Sequence, residues 1–235
     1  MVVDVRGLVT HVETSGEGEP VLYLHGAAEW IGYSARLVDL LARGYRVIEP
    51  ERRGHGHTPD RDEDLTYSDM SADTIALIEA MAVDRPHLVG FSDGAIIALE
   101  VAMERPDLVG KVVAIGPNVS VAGLTDEALE WLRDVTPETW PGDAKEHHRD
   151  WPAFARKVIA MLRREPEIPL VELARIGSPV LVIGADRDMI RLEHLIDIHR
   201  AIPGSQLCII PGATHELTVE QPEILAEVIR RFLGQ

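Results

Sequence analysis

The sequence lacks three features, and each absence excludes a class of protein. It has a single cysteine, Cys208, so no disulfide can form within the chain. Its 23 lysines and arginines are outnumbered by 39 acidic residues, and the net charge of −16 opposes contact with nucleic acid or anionic membranes. No apolar run approaches the ~20 residues that a membrane-spanning helix needs. We therefore expect neither a nucleic-acid partner nor a membrane.

The same counts favour a globular protein with its own core. With 235 residues, 46% of them hydrophobic, the chain can fold as one domain. The N-terminus lacks the charged and apolar regions of a secretory signal peptide, so we expect a cytoplasmic protein. Cys208 lies in the strand-like segment 206–210, which favours a small buried side chain over a reactive thiol. The sequence leaves homo-oligomerisation open.

Apolar strands alternate with amphipathic helices along most of the chain. Strand-like segments at 2–5 and 8–14 indicate an antiparallel opening. Further strands are predicted at 20–24, 45–48, 86–89, 111–115, 179–183 and 206–210, and helices at 33–42, 68–82, 94–104, 191–201 and 220–233. This alternation predicts an α/β fold with a mostly parallel sheet and helices on both faces. Ligands bind such sheets at the carboxyl ends of the strands.

One interval breaks the alternation. Between the strands at 111–115 and 179–183, the chain has helical patches but no convincing strand, and it carries Trp131, Trp140 and Trp151. A structureless loop of about sixty residues is uncommon in a compact domain. We therefore predict a helical cap at 118–174, inserted into a core formed by 1–117 and 175–235. The cap is expected to cover the strand ends as a lid.

Residues 90–94 read Gly-Phe-Ser-Asp-Gly, a G-x-S-x-G pentapeptide between a predicted strand and a predicted helix. A serine on so tight a turn is strained and exposed, and the two glycines remove the Cβ atoms that would block the reversal. Ser92 is therefore the candidate nucleophile. The pentapeptide alone fits equally well an ordinary turn in which Ser92 caps the helix.

Acyl transfer by serine also needs a base and an acidic group that orients it. Asp188 follows the predicted strand at 179–183, and His215 follows the one at 206–210. Asp186 and Asn118 are alternatives to Asp188, and the histidines His194 and His199 are alternatives to His215, but both histidines fall on a predicted helix.

Two histidine pairs, His55 with His57 and His147 with His148, could suggest a metal site. Neither pair has an accompanying ligand set with zinc-site spacing. We expect neither a metal nor an organic cofactor.

Five segments together resemble the α/β-hydrolase superfamily over nearly the whole chain. They are similar to its oxyanion loop (25–28), its R-G-x-G-x-[ST] segment (53–58), its nucleophile elbow (90–94), its acid loop (184–188) and its histidine loop (212–215). The Ser-Asp-Gly elbow and the short insertion look most like the branch of valacyclovir-hydrolase-like and enol-lactonase-like enzymes. Glu51 and Ala95 depart from the common pattern, where many members have Asp and Gly.

The resemblance implies an eight-stranded α/β-hydrolase fold and a Ser92–His215–Asp188 triad, and it aligns Asp188 rather than Asp186 with the family's acid. It also implies that the backbone N–H groups of Ala27 and Asp93 form the oxyanion hole. The residues expected to line or support the substrate pocket are His25, Ala28, Trp30, Phe91, Trp131 and Trp151.

Asp93 is unusual because a carboxylate facing the reacting carbonyl would oppose the oxyanion, by ~1–4 kcal/mol at 4 Å. It should therefore point aside or pair with a cation. If that cation belongs to the substrate, Asp93 selects an ammonium-bearing ester.

The sequence thus predicts a serine hydrolase that cleaves a small carboxylic ester or lactone through an acyl-enzyme. The same triad also serves thioester, amide and carbon–carbon bond hydrolysis, because fold does not decide the substrate. The alternative outside the enzymes is a ligand receptor that has the same fold but does not catalyse a reaction.

Overall fold

The computed structural model describes residues 1–234. Eight strands form one sheet in the order β1-β2-β4-β3-β5-β6-β7-β8. Their bounds are β1 Val2–Val5, β2 Leu8–Ser15, β3 Glu19–Leu24, β4 Tyr45–Pro50, β5 His87–Phe91, β6 Val112–Ile115, β7 Val180–Ala185 and β8 Gln206–Ile210. β2 pairs antiparallel with β1 and with β4, and every other neighbouring pair is parallel. The predicted mostly parallel, eight-stranded sheet is confirmed.

Helices cover both faces of this sheet. The helices are α1 Ala35–Leu41, α2 Tyr67–Ala80, α3 Asp93–Glu104, α4 Asp126–Asp134, α5 Ala144–His147, α6 Trp151–Leu162, α7 Leu192–Ala201, α8 Leu217–Glu220 and α9 Pro222–Leu233. The core on one face contains buried side chains of α2, α3 and α7, and the core on the other contains those of α1, α8 and α9. Buried residues of β6 alternate between the two cores, which is why the predicted strands read as continuous apolar runs.

The predicted helix at 220–233 corresponds to α9, which begins two residues later and follows a separate short helix, α8. α8 ends at Glu220, and α9 begins with Pro222 at its first position. Proline is favoured there because its missing N–H would have no partner in the first turn. The interval 118–174 contains α4, α5 and α6, and a 3₁₀ helix, Leu170–Arg175, crosses its C-terminal boundary.

None of the helices described is long and apolar enough to cross a membrane. The cytoplasmic location stays a prediction. Cys208 is half-buried on β8, and burial raises the pKa of its thiol.

Candidate active site

Ser92 lies at the turn between β5 and α3 in a strained conformation, with φ 51° and ψ −116°. The two flanking glycines allow the turn because a Cβ at Gly90 would lie 2.1 Å from the Gly94 oxygen, and one at Gly94 would lie 2.0 Å from the Leu24 oxygen. The Ser92 N–H donates to the Ile115 oxygen at 2.8 Å, so the turn is also fixed to β6. Strain of this kind collects at functional positions, where the surrounding structure over-determines it.

The structure brings Ser92, His215 and Asp188 together at the carboxyl ends of β5, β8 and β7. His215 Nε2 lies 3.0 Å from Ser92 Oγ, and His215 Nδ1 lies 2.7 Å from Asp188 Oδ1. A carboxylate only accepts, so Nδ1–H donates to Asp188, and Nε2 is left to accept the serine proton. The Ile190 N–H also donates to Asp188 Oδ1, at 3.1 Å. Since the Asp188 side chain is fully buried, its orientation is fixed.

The environment of His215 favours its charged form. Burial lowers the pKa of the imidazole, but the hydrogen bond to Asp188 and the negative charges of Asp188, Glu216 and Asp93 outweigh this, so its pKa is raised. An imidazole that is readily protonated can take a proton from a serine hydroxyl during attack and return it to a leaving group.

The loop after β3 lies beside Ser92. Ala27 and Ala28 both line the cavity at Ser92, and Ala28 adopts a left-handed conformation with φ 55°. In the hydrogen-bond pattern of residues 1–234, the backbone N–H groups of Asp93, Ala27 and Ala28 have no acceptor, so Asp93 and either alanine are free to donate. Two unpaired donors beside a nucleophile are what a developing oxyanion requires.

His25 and Arg52 brace this loop from below. The Arg52 guanidinium donates to the carbonyl oxygens of His25 and Gly26, at 2.8 and 2.6 Å. The Arg52 backbone N–H donates to His25 Nε2 at 3.3 Å, and His25 Nδ1 lies 2.9 Å from the Gly26 oxygen and 3.0 Å from Arg52 Nη2. Burial and the charge of Arg52 hold the pKa of His25 well below its usual range. A buried, neutral His25 thus supports the loop and lies outside the cavity lining.

Asp93 points aside from the reacting position. The Tyr67 hydroxyl donates to Asp93 Oδ1 at 2.7 Å, and Arg52 Nη1 lies 3.9 Å from Asp93 Oδ2. Burial raises the pKa of Asp93, and the charge of Arg52 and the Tyr67 hydrogen bond oppose that rise. The cation beside Asp93 is therefore a residue of the protein. This arrangement gives the hypothesis of an ammonium-bearing ester no support.

A cavity of about 420 Å³ opens over Ser92, a size that suits a small-molecule site. Of the predicted pocket residues, Ala28, Trp30, Phe91 and Trp131 line it. Trp151 does not, because it lies behind Trp140 at a ring distance of 5.9 Å and its Nε1–H donates to the Pro137 oxygen at 2.7 Å. Sequence reasoning placed Trp140 in the predicted cap but not among the pocket residues, and it missed as lining residues Glu29, Tyr33, Tyr67, Leu124, Leu132, Glu165, Met189 and Ile190. The only feature of the sequence that pointed to Trp140 as a lining residue is its position in the interval 118–174.

The alternative acids and bases have other partners. Asp186 Oδ1 accepts from the Gly212 N–H at 2.7 Å, and Asn118 lines the cavity but donates to the Ser120 oxygen at 3.3 Å. His194 Nε2 accepts from the Val119 N–H at 3.0 Å. His199 Nδ1 lies 2.8 Å from Ser205 Oγ. None of these four side chains contacts Ser92 in the described part of the chain.

Two histidines and a glutamate lie close together away from the cavity. Ligand atoms of His11, Glu51 and His57 lie within 4.8 Å of one another. Glu51 is buried, and its Oε2 accepts from the His57 backbone N–H at 2.6 Å, so it fixes the loop after β4. The predicted absence of a metal stays a prediction.

An eight-stranded sheet that presents a strained serine, a histidine and an aspartate at its parallel strand ends defines the α/β-hydrolase class. The chain belongs to the alpha/beta hydrolase family, whose profile matches residues 21–228. It is an enzyme of the hydrolase type.

Known proteins resemble the chain over nearly its full length. It is 28% identical to serine hydrolase BPHL of Homo sapiens, across 98% of this chain and 85% of that one. It is 25% identical to 2-hydroxy-6-oxo-6-phenylhexa-2,4-dienoate hydrolase of Burkholderia cepacia, across 95% and 91%. The structure of the enol-lactonase from Burkholderia xenovorans superposes with a TM-score of 0.83 at 18% identity, across 100% of both chains. The branch within the family stays a prediction.

Proposed function

We propose that this protein is a serine hydrolase that cleaves a small carboxylic ester or lactone through an acyl-enzyme. The observation that carries the proposal is the continuous path from Ser92 Oγ through the imidazole of His215 to the buried carboxylate of Asp188. A serine hydroxyl is a weak nucleophile until an adjacent base takes its proton. Here the base is within hydrogen-bond distance and is held in the productive tautomer.

In the proposed reaction, Ser92 Oγ attacks the substrate carbonyl carbon while His215 Nε2 takes the hydroxyl proton. The tetrahedral oxyanion accepts hydrogen bonds from the backbone N–H groups of Ala27 and Asp93. As the intermediate collapses, the C–O bond breaks, and His215 returns the proton to the leaving alcohol. A water molecule then repeats the sequence on the acyl-enzyme, which releases the acid and restores Ser92.

We further propose that 118–174 is a cap over a core formed by 1–117 and 175–235. In support, Leu124, Leu132, Trp131 and Trp140 of this interval line the cavity opposite Ser92. The indole of Trp30, which follows the loop after β3, stacks on the imidazole of His147 at 3.7 Å between ring centroids. The stack links the core to the cap beside the cavity.

The activities in the names of the relatives are compatible with an ester or lactone substrate but do not identify the substrate. One is a serine hydrolase, another an enol-lactonase, and a third hydrolyses a substituted hexadienoate. A hydrolase of another acyl bond, or of a carbon–carbon bond, would use the same three side chains.

Two measurements test the proposal. A fluorophosphonate probe should label the wild-type protein at Ser92 and leave Ser92→Ala unlabelled, which separates a competent nucleophile from a passive ligand receptor. A panel of 4-nitrophenyl esters, lactones, thioesters and amides, with Ser92→Ala as the control, should then show the highest kcat/KM on an ester or lactone. The proposal would be overturned if Ser92→Ala were still labelled, or if its turnover equalled that of the wild type.

A further inference from the structure

Apart from the imidazole of His215, the charged side chains that line the cavity over Ser92 are all acidic. Among the described lining residues there is neither a lysine nor an arginine. The lining includes five residues with a carboxyl group, namely Glu29, Asp93, Asp143, Glu165 and Glu216. Most of the remaining lining is apolar or aromatic, with Trp30, Phe91, Trp131 and Trp140 as its largest members.

The arginines next to lining residues in the chain are engaged elsewhere. Arg163 donates to the carbonyl oxygens of Leu132 and Val135, at 2.9 and 3.1 Å. Arg164 donates to the Leu65 oxygen at 2.9 Å and also pairs with Glu165. Each guanidinium is thereby held by other groups of the protein.

Two further arginines are committed in the same way. Arg191 donates to the Leu124 oxygen at 2.7 Å and pairs with Asp126. Arg52 is buried beneath the loop after β3, where it donates to two carbonyl oxygens and lies beside Asp93. Arg133 and Lys145 follow the lining residues Leu132 and Ala144, but both are exposed and lie outside the lining, and Arg133 pairs with Asp134.

The lining carboxyl groups differ in their surroundings. Glu29 is buried, and burial raises its pKa well above the usual range, which favours the uncharged acid over the carboxylate. Asp143 and Glu216 are exposed, so they lie where the cavity meets solvent. The solvent-exposed part of the cavity lining therefore carries two carboxyl groups.

From this lining we infer that the enzyme rejects substrates that carry a carboxylate, and that it takes esters or lactones without an ionised acid group. The inference rests on the proposed function. A carboxylate entering the cavity would lose its hydration without gaining a lysine or arginine as counter-ion, and the exposed carboxyl groups would repel it. His215 cannot take that role in the reacting enzyme, because its imidazole must be neutral to accept the serine proton. An uncharged acyl group instead gains contact with the tryptophans and leucines of the cap.

Two esters of matched shape isolate the charge. In 4-nitrophenyl 6-methylheptanoate the acyl chain ends in an isopropyl group, and in mono-4-nitrophenyl adipate a carboxylate takes its place. We expect kcat/KM to be lower for the adipate by on the order of tenfold or more, because a cavity lined with negative charge repels a negatively charged substrate. The ratio should shrink in 0.5 M NaCl because salt screens exposed charges. Equal kcat/KM values for the two esters at low salt would overturn the inference.

A charge reversal with a matched control tests the cavity itself. Asp143→Lys places a cation in the lining, and Glu146→Lys places the same cation on α5 outside the lining. We expect Asp143→Lys to raise the ratio of kcat/KM for the adipate to kcat/KM for the isopropyl ester several-fold, as electrostatic attraction requires. Glu146→Lys should change this ratio much less. An equal effect of both variants, or none from Asp143→Lys, contradicts selection by the lining.

A binding measurement separates this inference from the proposed function. Ser92→Ala keeps the cavity but cannot form an acyl-enzyme, so calorimetry can compare its affinity for the two esters directly. Weaker binding of the adipate supports charge selection even if the wild type hydrolyses neither ester, in which case only the proposed function fails. Equal affinity overturns the inference whatever the turnover.

Discussion

The two sides of the cavity are held by different kinds of contact. On the sheet side, backbone turns and short hydrogen bonds fix single atoms, as in the contacts of Asp188 with His215 and Ile190. On the side of 118–174, aromatic rings contact one another, with Trp131 and Trp140 at 5.6 Å between centroids. The difference predicts that single changes at the strand ends abolish the proposed reaction, while single changes in the proposed cap alter which ester is accepted.

The largest effect is expected from Asp188→Asn. The amide keeps the shape of the side chain but favours the wrong tautomer of His215, so kcat should fall by about 10⁴. Ester hydrolysis with circular dichroism as a folding check would measure this. Asp186→Asn, two residues earlier and bonded to the Gly212 N–H, is the matched control and should keep nearly full activity. Equal losses in the two variants would remove the assignment of Asp188 as the orienting acid.

Asp93→Asn should have the next largest effect, on stability. It leaves the buried Arg52 without its counter-charge, so the free energy of unfolding should fall by about 2 kcal/mol in urea titrations. Because Tyr67 and Arg52 already hold the carboxylate, amino-acyl and neutral esters should lose kcat/KM by the same factor. A loss confined to amino-acyl esters would restore the hypothesis that Asp93 binds a substrate ammonium group. Asp143→Asn, an exposed lining residue, serves as the control for stability.

Trp140→Ala should alter chain-length preference rather than chemistry. Removing the indole from the lining should raise KM about tenfold for 4-nitrophenyl octanoate. The reason is that an aromatic side chain offers a large apolar surface to a long acyl chain, and the variant loses this surface. The acetate ester, too short to need the cap, should keep its kcat/KM. Trp140→Phe should recover most of the loss. A uniform fall in kcat for both esters would mean that the cap also positions the catalytic groups.

Glu216→Gln should give the smallest effect, on pH dependence. His215 must be neutral to accept the serine proton, so kcat/KM falls as the pH drops through its raised pKa. Glu216 is one of the charges that raise that pKa, so removing it should move the acid limb to lower pH. Activity at pH 6 should rise by about twofold, a modest change because Glu216 is exposed. Glu220→Gln is the control, and a shift to higher pH would contradict the assignment.

The sequence predicts the sheet side of the cavity better than the cap side. The strands are recognisable as apolar runs, and Ser92, Asp188 and His215 are found because each follows such a run. A parallel sheet then brings the ends of these strands to one edge. β7 extends to Ala185, two residues beyond the predicted end of this strand. Asp188 still follows the strand end, so its assignment is unaffected.

Side-chain contacts between distant elements could not be predicted in this way. Tyr67 and Arg52 meet Asp93 only because the start of α2 packs beside the loop after β4, and no local pattern encodes that approach. The same holds for Trp140, which lines the cavity, and Trp151, which lies behind it. Their positions depend on how α6 and the turn before α5 pack together.

The left-handed backbone of Ser92 means that the protein is less heat-resistant than its fold would allow. A serine in this conformation costs on the order of 1–3 kcal/mol, and glycine adopts it freely. Replacing Ser92 with glycine should therefore raise the melting temperature while leaving an inert protein. Under the proposed function, the Ser92 hydroxyl supplies the nucleophile at a cost in stability, which is a trade of stability for activity.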